Sequence, residues 1–166
     1  AQLINNDSLT NKGLIKSISL INNTDYWSNT GTVEINSGGV MNNTGKFVNE
    51  LGAKLFNSYE IYNKTGANFT NFGFVNNYIR FENEGNLLTS SYFTTSGDIL
   101  NKTGATFRNS EILEIKGGSF VNEGAVINAR RFINALCGTL ANRASGQITN
   151  NRIIENSGLV FQYGTI

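Results

Sequence analysis

Phe120-Val121-Asn122-Glu123-Gly124-Ala125-Val126-Ile127-Asn128-Ala129 holds the pattern that decides the fold. It opens on an apolar residue, a variable one and Asn, passes through Glu-Gly, and returns to apolar residues that end in a second Asn. Phe47-Val48-Asn49 and Ile61-Tyr62-Asn63 begin the same way. Only six or seven residues separate one breaker from the next, too few for a helix. The apolar residues are β-branched or aromatic and alternate with polar ones, which is the pattern of a short strand.

Outward from this stretch, the Asn residues that stand shortly before a Gly form a series. It runs Asn22, Asn42, Asn63, Asn83, Asn101, Asn122 and Asn142, with spacings of 20, 21, 20, 18, 21 and 20 residues, and one further step reaches Gln162. Gly45, Gly66, Gly85, Gly104, Gly124, Gly146 and Gly164 keep step with it. A second series runs Asn29, Asn49, Asn71, Ser90, Asn109, Asn128 and Asn150. A third runs Asn36, Asn57, Asn76, Thr95, Ile115, Asn134 and Asn156, with Ile115 out of pattern.

Three short strands and three bends per period close a triangular coil, and the next coil starts above the first. The expected fold is all-β: a right-handed parallel β-solenoid, triangular in section, with about twenty residues per coil and about eight coils, a single domain over residues 1–166. At a strand spacing of about 4.8 Å the rod would be about 35–40 Å long. An antiparallel meander would need tight hairpins, whose strongest signal is Asn-Gly. The chain has 27 Asn and 18 Gly, yet no Asn-Gly pair.

In an apolar-any-Asn triplet the first and third side chains share a face, so the Asn turns inward with the apolar residue. The first Asn series is therefore expected to stack as an amide ladder along the rod. Asn-x-Ser/Thr acceptor patterns stand at Asn6, Asn22, Asn42, Asn63, Asn68 and Asn101, and a ladder Asn cannot carry a glycan. Core stacks are expected of Phe47, Phe69, Phe107 and Ile127, and of Phe120, Leu140 and Val160, like upon like. Trp27, Tyr59, Tyr62, Tyr78 and Tyr92 are less regular and make a candidate exposed aromatic patch for stacking on sugars.

Composition removes most chemistry. There is no His, so no His triad, His metal ligand or imidazole base. Asp7, Asp25 and Asp98 show no calcium-loop spacing. Glu82 with Glu84, and Glu111 with Glu114, read as solvated charges rather than a glycosidase pair. Arg130-Arg131 has no acidic cluster in register, as a polysaccharide lyase would require. Gly38-Gly39 and Gly117-Gly118 lack the Lys-Ser/Thr of a phosphate loop. Thr24, Thr44, Thr65 and Thr103 suggest an ice-binding row, but Glu84, Glu123 and Arg143 share their register. Cys137 excludes an internal disulfide and reads as a small buried apolar residue. The net charge of +1 offers no field for nucleic acid, and no apolar run spans a bilayer. The expectation is no enzyme, no cofactor, no metal, no nucleic acid and no membrane insertion.

The quoted stretch is similar to repeats of bacterial filamentous-haemagglutinin-type and autotransporter-type β-helices, which also run Asn-x-Gly-x-apolar over about twenty residues. That resemblance implies a secreted or surface-displayed rod used for structure or adhesion. Ala1-Gln2 is compatible with a start left by leader removal or with a piece of something longer. The repeat pattern reaches from Leu3-Ile4-Asn5 to Val160 and Gly164. Two functions are therefore expected. One is a subunit of an extracellular filament whose uncapped edges stack end to end, its partner being itself. The other is a segment of a secreted adhesin that binds surface glycans or host surfaces along its flank.

Overall fold

The computed structural model describes residues 2–166. It contains twenty-five short strands, all paired in parallel in three sheets, with no helix. The first sheet has nine strands, from Leu3–Asn5 to Leu159–Gln162. The second has eight, from Ser8–Asn11 to Gln147–Asn150, and the third eight, from Leu14–Ser17 to Ile153–Asn156. The chain visits first, second and third sheet in turn, so each circuit adds one strand to each. This is a three-sided β-solenoid of about eight coils, as the period requires.

Each strand is four residues long apart from the first, and its side chains alternate out, in, out, in. The first inward place is apolar. In the first sheet Ile21, Met41, Ile61, Phe81, Ile99, Phe120 and Leu140 fill it, all 2% exposed or less. The second inward place, just before the corner, belongs to Asn. In the second sheet Phe107 pairs with Val126, so Val126 takes the core place and Ile127 faces outward. The run Ala125-Val126-Ile127-Asn128 has two adjacent apolar residues, and the Asn fixes which one turns in: the residue two before it.

Of the expected stacks, Phe47 lies under Phe69 and Phe120 under Leu140 and Val160, but most of the rings inside the rod do not stack like upon like. Trp27, Phe47 and Phe69 sit one above another in the second sheet, with centroids 5.1 and 4.8 Å apart. From there Phe81, Phe93, Phe107, Phe120 and Phe132 step around the sheets in the order first, third, second, first, third, at 5.1–5.7 Å and near T-shaped angles. Rotating the bulk around the axis spreads ring volume over three walls, which a densely packed narrow interior needs.

Successive inward corner residues lie six, seven or eight residues apart. From Asn5 through Asn11, Ser17, Asn23 and Asn29 to Ile35 the inward corner residue recurs every six residues, and it does so again at Asn150, Asn156 and Gln162. Between them several corners are longer, as from Ile35 to Asn43 and from Asn49 to Asn57. Five of the longer corners turn through a Gly in the left-handed region, as at Gly66 with φ +80°, whereas those after Asn134 and Asn142 do not. At Gly85 the reason is different: a Cβ would lie 2.4 Å from the Ala67 carbonyl oxygen of the coil below. Cys137 sits in one such turn and is exposed, not buried. Its apolar neighbours Leu136 and Ala135 belong to the turn as well, so they do not draw it inward.

Candidate functional site: amide ladders and rod ends

The corner residues of the first sheet form one uninterrupted ladder. Asn5, Asn23, Asn43, Asn63, Asn83, Asn101, Asn122 and Asn142 are linked by seven side-chain hydrogen bonds of 2.7–2.8 Å. From Asn5 to Asn122 each Nδ2 donates one hydrogen to the next amide oxygen. It donates the other to a backbone carbonyl where the next strand begins, one coil on, as Asn83 does to Thr106 at 3.0 Å. The amide is thereby satisfied in a place without water, which full burial demands.

Asn63, Asn83, Asn101, Asn122 and Asn142 are thus ladder members, whereas Asn22 and Asn42 are not. They pair on the outer face, and Asn23 and Asn43 take the inward places. The doubled Asn leaves two phases, and the alternation counted from Ile21 and Met41 selects the second. The same slip of one residue separates Ser90 from Thr89, Asn36 from Ile35 and Asn76 from Asn77, the residues that face inward. The Asn-x-Ser/Thr patterns divide accordingly. Asn63 and Asn101 are buried, Asn22 and Asn42 half-buried, and Asn6 and Asn68 exposed.

The second sheet carries six links, Asn11 through Asn29, Asn49 and Asn71 to Thr89, then Asn109 through Asn128 to Asn150. The third has three, Asn57 through Asn77 to Thr95, and Asn134 to Asn156. All links run one way: the lower coil donates and the upper accepts. The two ends of the rod are therefore unlike. At the N-terminal end Asn5 Oδ1 accepts no bond among the described residues, and Asn11 Oδ1 accepts only the Gly13 N–H of its own corner. At the C-terminal end Asn150, Asn156 and Gln162 each give one amide hydrogen to a carbonyl of their own corner and hold the other free.

The C-terminal end is also apolar. Val160 is 42% exposed where Leu140, one coil below it in the same column, is 2% exposed. Ile153, Leu159, Phe161 and Ile166 are exposed around it, and Ile4 and Leu14 at the other end.

The expected aromatic patch does not assemble. Trp27 is wholly buried, because Tyr26-Trp27-Ser28-Asn29 places it two residues before a ladder Asn; its indole N–H has no partner. Tyr59 lies half-buried at a corner and packs on the core, and Tyr78 is exposed at the corner one coil above. Tyr62 is on the outer face of the first sheet and Tyr92 on that of the third. On the outer face of the third sheet Tyr92 stands in the column of Phe74, and Phe56, in the neighbouring column one coil below Phe74, has its ring 5.9 Å from that of Phe74. The sequence signal for these two, an apolar residue outside the inward places, becomes visible only once the register is known.

A charge network covers the first sheet nearby. Glu82 is 4% exposed, holds Arg80 at 2.5 Å, and also binds Lys102, which reaches Glu84 at 2.8 Å. Burial pushes the Glu82 carboxyl up, but the hydrogen bonds from Lys102 and Arg80 outweigh it and hold its pKa at about 2. Glu82 is thus a buried ion pair and not a solvated charge. Without a proton at neutral pH it cannot serve as the general acid of a carboxyl pair. Tyr62 donates to Glu60 at 2.9 Å, and burial and that bond raise its phenol. Among the described residues no cluster of His, Cys, Asp and Glu could hold a metal ion, and no helix is long and apolar enough to cross a membrane.

The architecture is that of a β-helix repeat protein. No family model, curated protein or solved structure matches the chain.

Proposed function

We propose that this chain is a structural rod unit that stacks end to end with copies of itself into a filament. One observation carries the reading: the ladders run in one direction, so one end offers amide hydrogens and the other amide oxygens. Among the described residues the terminal strands of each sheet also leave a parallel edge unpaired, and such edges are templates for another strand. The apolar places at the ends, such as Val160, complete the match with a second copy. Filaments outside the cell are the setting that the likeness of Phe120–Ala129 to filamentous-haemagglutinin-type repeats favours.

Negative-stain electron microscopy of the dilute purified chain tests this. Uniform fibres, lost when a charged or proline-bearing cap is fused to one end, are the expected result. Short monodisperse rods at every concentration would overturn it. A second reading, an adhesin segment that binds glycans along its flank, is favoured by Phe56, Phe74 and Tyr92 on the outer face of the third sheet. A glycan screen of Tyr92→Ala against the unaltered chain separates the two, since stacking would be unaffected.

A further inference from the structure

We infer that two copies of this rod lie side by side and antiparallel along the edge between the first and second sheets, the projecting corners of each seated in the recesses of the other. The joint lies on the flank, so it is separate from end-to-end stacking and goes beyond it.

That edge alternates in length. Its inward corner residues run Asn63 to Asn71, Asn83 to Thr89, Asn101 to Asn109, Asn122 to Asn128 and Asn142 to Asn150, in steps of eight, six, eight, six and eight residues. Neither of the other two edges alternates in this way. The long corners project: a Cβ on Gly66 or Gly104 would meet nothing within 4 Å, and Thr65, Thr103 and Ser145 are exposed. The short corners are drawn in: a Cβ on Gly85 or Gly124 would lie 2.4 Å from the Ala67 or Ala105 carbonyl oxygen of the coil below. A hollow lined by Thr103, Gly104, Glu123 and Ser145 separates the upper two projections. The edge is thus a comb whose teeth recur every second coil, about 9.6 Å apart.

Charge keeps the same period. The residue after each corner Asn is Lys64, Lys102 or Arg143 on a tooth, and Glu84 or Glu123 in a recess. Lys64 and Lys102 hold Glu84 within the chain, at 3.7 and 2.8 Å. Glu123 and Arg143 make no ion pair among the described residues. A comb that alternates in both shape and sign is its own complement when displaced by one coil, so the occupant it fits is a second copy.

Direction and register follow from the charges. In antiparallel rods whose two-fold axis passes between the coils of Lys102 and Glu123, Lys102 faces the second copy's Glu123 and Glu84 faces the second copy's Arg143. Each contact occurs twice, and both unpaired groups gain an opposite charge. Moving the axis by one coil sets Arg143 against Thr44 or Lys102 against Tyr163, and a parallel pair leaves one Arg143 against Tyr163. The two-fold arrangement also closes on itself. Exposed ion pairs are weak singly, so the pairing needs rods brought close and fades as salt is added.

Single cysteines read this seat. In a Cys137→Ser background, Thr103→Cys places the thiol-bearing residues of the two copies one strand spacing apart along the axis, about 4.8 Å, within disulfide range. Ser145→Cys places them about 14 Å apart and Thr65→Cys about 24 Å. All three sites are exposed turn positions, so the fold does not depend on them. On mild oxidation at high protein and low salt, covalent dimer is expected from Thr103→Cys roughly tenfold faster than from the other two. Adding Arg143→Glu, or raising the salt, is expected to remove that advantage. Equal rates at the three sites, a faster reaction at Ser145→Cys or Thr65→Cys, or an advantage that survives Arg143→Glu would overturn the pairing. Fibres without the Thr103→Cys advantage would remove the comb and leave the filament standing, and the advantage without fibres would do the reverse.

Discussion

The first and third sheets are made of the same four-residue strand, yet one carries seven consecutive amide links and the other three. Ile35 and Ile115 occupy corner places in the third sheet, fully buried, and the coil closes over them as well as over Asn. The fold therefore needs an inward side chain there, not an amide. What the apolar residue changes is the amide above it. Asn57 sits over Ile35, and its Oδ1 takes the Tyr59 N–H of its own corner at 3.2 Å. Asn134 sits over Ile115, and its Oδ1 is buried without a partner. An amide ladder stabilises through its links, and each break places a cost on the next member.

The strongest way to break the contrast is to cut the continuous ladder in its middle. Asn83→Leu keeps the number and branching of the side-chain heavy atoms but strands a hydrogen of Asn63, the oxygen of Asn101 and the Thr106 carbonyl. A loss of about 3–5 kcal/mol is expected in urea unfolding, from two or three unsatisfied buried groups. A loss under about 1 kcal/mol would mean that the ladder adds little beyond filling space.

Acid separates the flanks of the same two sheets. The folded pKa of Glu82 lies below its ordinary value, so its stabilisation is complete above about pH 4.5 and fades as the pH falls toward about 2. A loss on the order of 2 kcal/mol across that window, absent from Glu82→Gln, is expected in unfolding at successive pH values. On the third sheet the Arg131–Glu155 pair, at 2.6 Å, also lowers its carboxylate, through the hydrogen bond from Arg131, but it lies in solvent. Glu155→Gln should leave the acid profile unchanged at moderate salt.

The smallest effect comes from repair. Ile115→Asn supplies a donor to the orphan oxygen of Asn134 and gives up a buried apolar side chain. The two terms are of similar size and opposite sign, so a change within about 1 kcal/mol is expected. A destabilisation of several kcal/mol would show that the third sheet cannot host a ladder at that corner.

The period, the three sides, the parallel pairing and the inward Asn were legible because each rests on a count that local chemistry cannot shift far. Phase was harder. Asn22-Asn23, Asn42-Asn43 and Asn76-Asn77 each offer two inward candidates, and corners that vary from six residues upward remove a fixed ruler. The alternation read back from Ile21, Met41 and Val75 carries the answer. The same rule places Trp27 inside, although its less regular position made it a candidate for the exposed patch. Cys137 shows the reverse: apolar neighbours do not bury a residue at the tip of a turn. The ends, where the function is proposed, depend on which edges stay open, and that follows only from the assembled stack.

The one-way ladders have an electrical consequence. Backbone dipoles in a sheet largely cancel, whereas an amide group carries about 3.5 D, and here the buried amides of the corner ladders all point along the axis in the same sense. The rod is thus a permanent electret, positive toward Gln162 and negative toward Asn5. In the proposed filament, units that approach tail to head would be drawn together before any strand pairs, units that approach like to like would be turned away, and the two ends of a growing polymer would differ in their rates of addition.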